Sequence, residues 1–375
     1  MKLVGELFQE ELEALCGKAH SRKGRGMCHR GGTERGSILL SGQRVRTRHP
    51  RARREDGEIG LESYEALQEY DVLCEEVSKL LIRGISTRNY EGALQEMEGG
   101  LGLSRSSVSR AFERSSRKDL DEINGRDLSP YSWVACFFDG MEFQGIHIIV
   151  GLGITTDGRK VLLGLREGSS ENAEVVKDLS VSIRDRGFRV EGKILVVLDG
   201  SKALKKGVLE VWGETVLLQR CQVHKRRNVL SYLPVSYHRE CARRMNTAYG
   251  MESYREARKE LDKTVGWLRE ISESSARSLE EGMEETLTVH RIGLPEKLRR
   301  HFASTNLVES LLSSVELRTN RVTNWKKGKD QVMRWAASGM RFHERTFRRI
   351  TGYRELPMLI QALKKESMEQ NRKVG

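Results

Sequence analysis

No stretch of the chain is apolar for long enough to span a membrane. The most apolar run, Ile146 to Ile154, falls well short of the about 20 residues that a spanning helix needs. Met1 to Cys16 has no basic-then-apolar leader pattern and is interrupted by Glu6, Glu10, Glu11 and Glu13. A soluble, cytoplasmic protein without membrane contact is therefore expected. The cysteines Cys16, Cys28, Cys74, Cys136, Cys221 and Cys241 are scattered over 375 residues, unlike the dense framework of a small disulfide-stabilised domain, and read as reduced thiols. No C-x₂-C pair occurs. Neither Cys221-Gln-Val-His224 nor the group Cys16, His20, Cys28 and His29 supplies a compact set of four ligands, so structural zinc is not expected. A P-loop and a dinucleotide fingerprint are also missing, which argues against a nucleotide cofactor.

Positive charge is plentiful. The chain carries 65 Lys+Arg against 53 Asp+Glu, a formal net charge of +12, and phosphate is the commonest large polyanion that such a protein meets. The excess is concentrated: Ser21 to Arg54 holds eleven Lys/Arg and one acid, Glu34. Within it, Ser37-Ile-Leu-Leu40 and Arg44-Val-Arg-Thr-Arg48 suit a short hairpin around Ser41-Gly42. Arg48 to Arg54 reads as a stretch that stays unburied, against phosphate or water. Leu61 to Leu120 then has helical periodicity, with Gly99-Gly-Leu-Gly102 separating a helix through Tyr90, Leu94 and Met97 from a short one, Leu103 to Phe112. A helix, a glycine turn and a short helix rich in Ser and Arg fit a helix-turn-helix. Arg105, Ser106, Ser107, Ser109 and Arg110 would then face base edges. An ordinary helical hairpin fits that spacing equally well.

The periodicity changes at Ser129-Pro-Tyr131. Trp133 to Phe138, Ile146 to Ile154 and Lys160 to Leu165 read as three strands of an antiparallel meander. A helix follows, running to about Arg186 with Val176, Leu179 and Ile183 on one face. Next come a buried strand, Lys193 to Leu198, a helix from Ser201, a strand, Thr215 to Gln219, and a helix near Cys221. This β-β-β-α-β-α-β-α order is the order of the RNase H-like fold. From Tyr232 to about His301 the pattern is helical and highly charged, as in a module inserted into the α/β domain. The end, Leu356 to Lys373, reads as an exposed helix.

Asp139 and Asp199 stand at the ends of the first and fourth of these strands, each followed by Gly. Polar residues just past buried strand ends line the crevice of an α/β sheet. Two carboxylates meeting there call for a cation, and Mg²⁺ suits oxygen ligands and phosphate together. A plain Asp-Gly turn is the competing explanation for each. Glu309 lies on a helix whose apolar face is Leu307, Val308, Leu311, Leu312 and Val315, and the spacing allows it to face the crevice. It equally allows a capping box with Asn306. Glu316 lies on the same stripe.

Taken in order, these segments resemble the Mutator-type family of bacterial insertion-sequence transposases. The resemblance runs from roughly Arg30 to Leu363 and is carried by Phe138-Asp-Gly140, Val197 to Leu204, Arg220 to Asn228, Ser304 to Ser310, Arg318 to Lys326, and Arg334-Trp335. It implies an α/β, RNase H-like mixed sheet with an all-helical insertion, preceded by a helical, helix-turn-helix-like DNA-binding region. It also implies an Asp-Asp-Glu triad of Asp139, Asp199 and Glu309 holding two Mg²⁺ ions, with Mn²⁺ able to substitute. Cys221 and His224 would stand beside the site. The implied layout is a basic arm (1–56), a DNA-binding domain (57–128), the first catalytic segment (129–231), an insertion (232–300), a second catalytic segment with Glu309 (301–350) and a helical tail (351–375). Arg105, Ser106, Ser107 and Arg110 would read the terminal inverted repeats of double-stranded DNA. Arg318, Arg321, Lys326 and Lys327 would grip backbone near the chemistry. The implied reaction is hydrolysis of a phosphodiester followed by strand transfer, by a homo-oligomer assembled on DNA in the nucleoid. The alternatives are a nuclease of the same fold that does not join, and an inactive DNA-binding descendant.

Overall fold

The computed structural model describes residues 2–17, 28–40, 43–54, 57–67, 82, 105–168, 172–319, 322, 325 and 330–374. The chain forms two compact units, 1–116 and 117–375. Among the described residues no helix is long and apolar enough to cross a membrane.

The first unit contains α1 (Lys2–Cys16), a three-stranded antiparallel sheet of β1 (His29–Leu40), β2 (Gln43–Arg54) and β3 (Gly57–Ile59), and the short α2 (Glu62–Ala66). The hairpin expected around residues 41 and 42 is present and longer than the sequence suggested, pairing His29 with Arg53 at its far end. The basic stretch 48–54 is therefore part of a strand, with Pro50 and Ala52 buried and Arg48, Arg53 and Arg54 exposed as expected. Strand alternation turns Ala52 fully inward while Arg51 pairs across the sheet with Glu58 at 2.5 Å. Phe8, Ile38 and Leu61 form a small core. The Glu11 carboxylate accepts from the Glu62 and Ser63 N–H groups at 2.6 and 3.0 Å, tying α1 to the start of α2. The helix expected to end near Phe112 is one continuous 21-residue helix, α3 (Arg105–Gly125). The rest of the proposed helix-turn-helix, including Met97 and Gly99 to Ser104, lies outside the described residues.

The second unit is built on a five-stranded mixed sheet: β4 (Trp133–Phe143), β5 (Ile146–Thr155), β6 (Lys160–Glu167), β7 (Ile194–Leu198) and β8 (Val216–Arg220), in the order β6-β5-β4-β7-β8. The first three strands make the expected antiparallel meander, and β7 and β8 add in parallel on the other side of β4. All five residues of β7 are buried, as befits a strand covered on both faces. One face carries Trp133, Cys136, Phe138, Val196 and Leu198. It packs on α4 (Ala173–Asp185), through Val176, Leu179 and Ile183, and on α5 (Lys202–Trp212). Asn172 and Ser201 cap these two helices by accepting from the Glu174 and Leu204 N–H groups.

After β8, α6 (Gln222–Leu230) leads into the helical insertion: α7 (Val235–Gly250), α8 (Tyr254–Arg269), α9 (Glu273–Glu280), α10 (Met283–Thr286), α11 (Thr288–Arg291) and α12 (Glu296–Phe302). The insertion has its own core, including Met245, Leu261, Leu268 and Leu279. The chain then returns to the sheet with α13 (Asn306–Thr319), α14 (Gln331–Glu344) and α15 (Leu356–Val374). These cover the second face, where Phe137, Val150, Leu195 and Val197 meet Val308, Leu311, Ala337 and Met340. The first half of α15 is not exposed as expected: Leu356, Leu359 and Leu363 are buried in this same core.

Candidate active site

The parallel ladder between β4 and β7 ends with the pair Phe138 and Leu198. The next residue on each strand is an aspartate. By strand alternation Asp139 and Asp199 share the face of Phe137 and Val197, the one that α13 covers. Asp139 does not end its strand. β4 continues to Phe143 because its hairpin partner β5 outlasts β7, pairing Asp139 with Val150. Asp199 directly follows the last residue of β7, and its Oδ1 accepts from the Ser201 N–H at 2.7 Å as the chain turns into α5.

Asp139 is 3% exposed. Its Oδ1 accepts from the Gly140 N–H at 3.0 Å, whereas Oδ2 is buried with no hydrogen-bond partner. Such a carboxylate oxygen is costly to leave unmatched. Burial pushes Asp139 up to about 7; His224, the nearby Thr305 hydroxyl and the Gly140 N–H oppose the rise, and the charge of Asp199 adds to it. Burial also raises Asp199, against the Ser201 N–H, His224 and Arg220.

The other half of the site is organised by Cys221. Its N–H donates to the Leu198 carbonyl at 2.7 Å, which fixes the start of α6 against the end of β7. Its Sγ accepts from the His224 N–H at 3.5 Å, capping α6, and from the Thr305 N–H at 3.4 Å. The Gln222 N–H donates to the Ala303 carbonyl at 2.8 Å, so the segment before α13 is held against the same turn. The Val308 and Glu309 N–H groups donate to the Thr305 carbonyl, so Thr305, not Asn306, caps α13. The Glu309 side chain is accordingly not used in a capping box with Asn306. Its Oε1 accepts from Arg227 Nη1 at 3.0 Å and lies 3.2 Å from His224 Nε2. The other ring nitrogen, Nδ1, is 3.3 Å from the Thr305 hydroxyl. Interaction with the Cys221 side chain, helped by Asp139 and Glu309, raises His224 to about 9 despite its burial. Burial would raise the Cys221 thiol, but His224 and the N–H groups around it outweigh this and hold it lower than an ordinary thiol.

Among the described residues one group of acids and histidines could hold a metal ion. Asp139, His224 and Glu309 each offer a ligand atom, and these atoms lie within 4.8 Å of one another. Asp199 is not in that group. It lines an adjacent cleft of about 450 Å³ with Gly200, Ser201, Lys202, His224 and Asn228. Two carboxylates, one of them with a buried oxygen that has no partner, and an imidazole fit a divalent cation. Cys221 is no ligand in this arrangement, because its sulfur is turned to backbone N–H groups. Glu316 is exposed on the far turns of α13.

Several of the expected DNA-binding residues lie outside what is described: Arg321, Lys326 and Lys327 altogether, and the side chains of Arg105, Ser106, Ser107, Arg110 and Arg318. Sequence reasoning missed Thr305, Arg220 and Arg227. Arg220 is buried between the Gly200 and Gly282 backbones, and its Nη1 donates to the Glu281 carbonyl at 3.2 Å. Arg220 and Arg227 lie in the same short segment as Cys221 and His224, and that closeness was the available signal.

Comparison with known proteins gives a consistent result. The family description "Transposase, Mutator family" matches residues 1–335. The chain is 27% identical over 328 residues to a transposase for insertion sequence element ISRM5 of Rhizobium meliloti (strain 1021), covering 84% of this chain and 80% of that one. A transposase for insertion sequence element IS6120 of Mycolicibacterium smegmatis is 28% identical over 254 residues, covering 66% and 77%. A transposase for IS256 in transposon Tn4001 of Staphylococcus aureus is 25% identical over 286 residues, covering 72% and 69%.

Proposed function

The chain belongs to the Mutator family of transposases, and on that premise we propose that it acts through a DDE-type site in which Asp139, Asp199 and Glu309 are the metal-holding acids. It is an insertion-sequence transposase, an enzyme that cleaves and transfers DNA strands. The observation that carries the proposal is convergence. Asp139, one residue past the β4–β7 ladder, meets Glu309 of α13 across His224, with Asp139 Oδ2 buried, while Asp199 at the neighbouring end of the ladder shares its cleft with His224. The sheet order and strand directions favour the RNase H-like reading over other mixed folds.

Asp139 and Glu309, with Asp199 beside them and His224 between, would hold Mg²⁺ or Mn²⁺. When bound, the metal would supply charge neutralisation at the phosphate and a more acidic attacking hydroxyl. The protein's own contribution is placement. Asp139 and Asp199 each come one residue after the paired Phe138 and Leu198, and the contacts of Cys221 and Thr305 hold His224 near Asp139 and Glu309. Lys202 and Asn228 line the adjacent cleft and would bind the backbone of the strand being cut. Terminal-repeat recognition by the N-terminal unit and the start of α3, and assembly of a homo-oligomer on paired ends, complete the proposal.

The test is strand cleavage and strand transfer on DNA carrying the element's ends, using Asp139→Asn and Glu309→Gln in the full chain. Each should lower both steps by on the order of 10³-fold while duplex binding and thermal stability are kept. Retention of cleavage within about tenfold of wild type, a loss of 1.4 kcal/mol or less in barrier terms, would remove that acid from the site.

A further inference from the structure

Three consecutive basic residues on α6 have three different partners. Lys225 is fully buried and its Nζ donates to the Ser278 carbonyl at 2.6 Å, Arg226 reaches Asn246, and Arg227 reaches Glu309. Arg227 Nη1 lies 3.0 Å from Glu309 Oε1 and 3.4 Å from His224 Nε2, so it touches two of the three candidate ligands. Yet 58% of the Arg227 side chain is exposed, and Asn228 beside it lines the cleft next to Asp199. A cation held by Glu309 would share this carboxylate with the guanidinium, and two positive charges on one carboxylate repel.

We propose that Arg227 is a place-holding cation that neutralises Glu309 in the metal-free protein, gives it up when the metal binds, and takes a phosphate of the bound DNA instead. The inference rests on the metal reading of Asp139 and Glu309 given above. A half-exposed ion pair is weak enough to be exchanged at small cost. The guanidinium fork also suits a phosphate as well as it suits a carboxylate. The competing account is a fixed ion pair that orients Glu309, and the two differ in sign. If the pair orients Glu309, its removal weakens metal binding; if Arg227 competes with the metal, its removal strengthens binding.

The experiment is Mn²⁺ binding to the full-length protein without DNA, for wild type, Arg227→Gln and Glu309→Gln. Arg227→Gln should bind Mn²⁺ about three- to fivefold more tightly than wild type, the range of a half-exposed pair, and the difference should shrink as salt is raised. A nonspecific duplex in excess Mg²⁺ should show a slope of log affinity against log salt reduced by about 0.9, one phosphate contact fewer. Unchanged or weaker Mn²⁺ binding by Arg227→Gln overturns the place-holding role. An unchanged salt slope overturns the transfer to phosphate. If wild type and Glu309→Gln bind Mn²⁺ alike, the fault lies in the metal reading itself and not in the role of Arg227.

Discussion

At the scale of single residues, burial and partners decide what a titratable group does, and sequence position does not. His301 lies in the last turn of α12 against the rings of Phe137 and Phe302, with centroids 6.4 and 5.2 Å away, and its Nε2 has no hydrogen-bond partner. Burial, with the charge of Lys160 adding, lowers it to about 4. Its folded value is therefore below the unfolded one, near 6.5. Between these values the unfolded chain binds the extra proton, so stability is intact near neutral pH and falls as pH drops through the window from about 6.5 to about 4. The full loss is about 3 kcal/mol. His301→Phe keeps the edge-on ring contact and cannot take a proton. Denaturant midpoints at pH 7 and pH 4.5 should separate the two proteins, with the variant losing distinctly less stability on acidification. Equal losses would mean that His301 is already charged in the folded chain. The same contrast governs the site. Glu309 was ambiguous in sequence because a first-turn glutamate suits a cap, and only the packing of α6 against the Thr305 segment turns it toward His224 and Arg227.

At the scale of elements, the faces were legible and the ends were not. Val176, Leu179 and Ile183 on α4, and Val308, Leu311, Leu312 and Val315 on α13, are buried as their spacing required. The point where β4 passes Asp139 could not be read, because it depends on β5 being longer than β7. The turn after Asp199 shows how much one such end carries. Gly200 has φ +105, and a Cβ there would overlap the Arg220 guanidinium. Gly200→Ala should therefore cost about 2 kcal/mol or more, from backbone strain together with displacement of a buried arginine, and should lower strand cleavage through Asp199. Gly266→Ala is the internal control. That glycine lies inside α8 with open space around its Cα, so alanine there should stabilise by about 0.5–1 kcal/mol. Thermal denaturation of both variants checks this, and similar shifts in the two would deny Gly200 any special conformation.

At the scale of the whole second unit, residues 139 and 309 are brought together although the chain spends the helical insertion between them. Buried polar contacts attach that insertion to β8 and α6. Gln219 donates to the Thr286 carbonyl at 3.0 Å and accepts from the Val289 N–H at 3.0 Å, while Gln222 donates to the Thr286 carbonyl at 2.8 Å. Helical periodicity announces an insertion, but it does not reveal which glutamines hold it, since those bonds join residues about seventy positions apart. The end of the chain makes the same point for apolar residues. α15 begins beyond the last residue of the family match at 335 and its second half is charged, so its sequence suits a solvated tail. Leu356, Leu359 and Leu363 nevertheless enter the core that also contains Phe137 and Val308, on the sheet face that carries Asp139. A solvated helix would make Leu359→Ala nearly neutral. A core position makes it cost about 2–5 kcal/mol, from lost transfer energy and an unfilled cavity. Urea unfolding of the full chain distinguishes the two: a change below about 0.5 kcal/mol, the range of ordinary surface substitutions, would return the last helix to the surface.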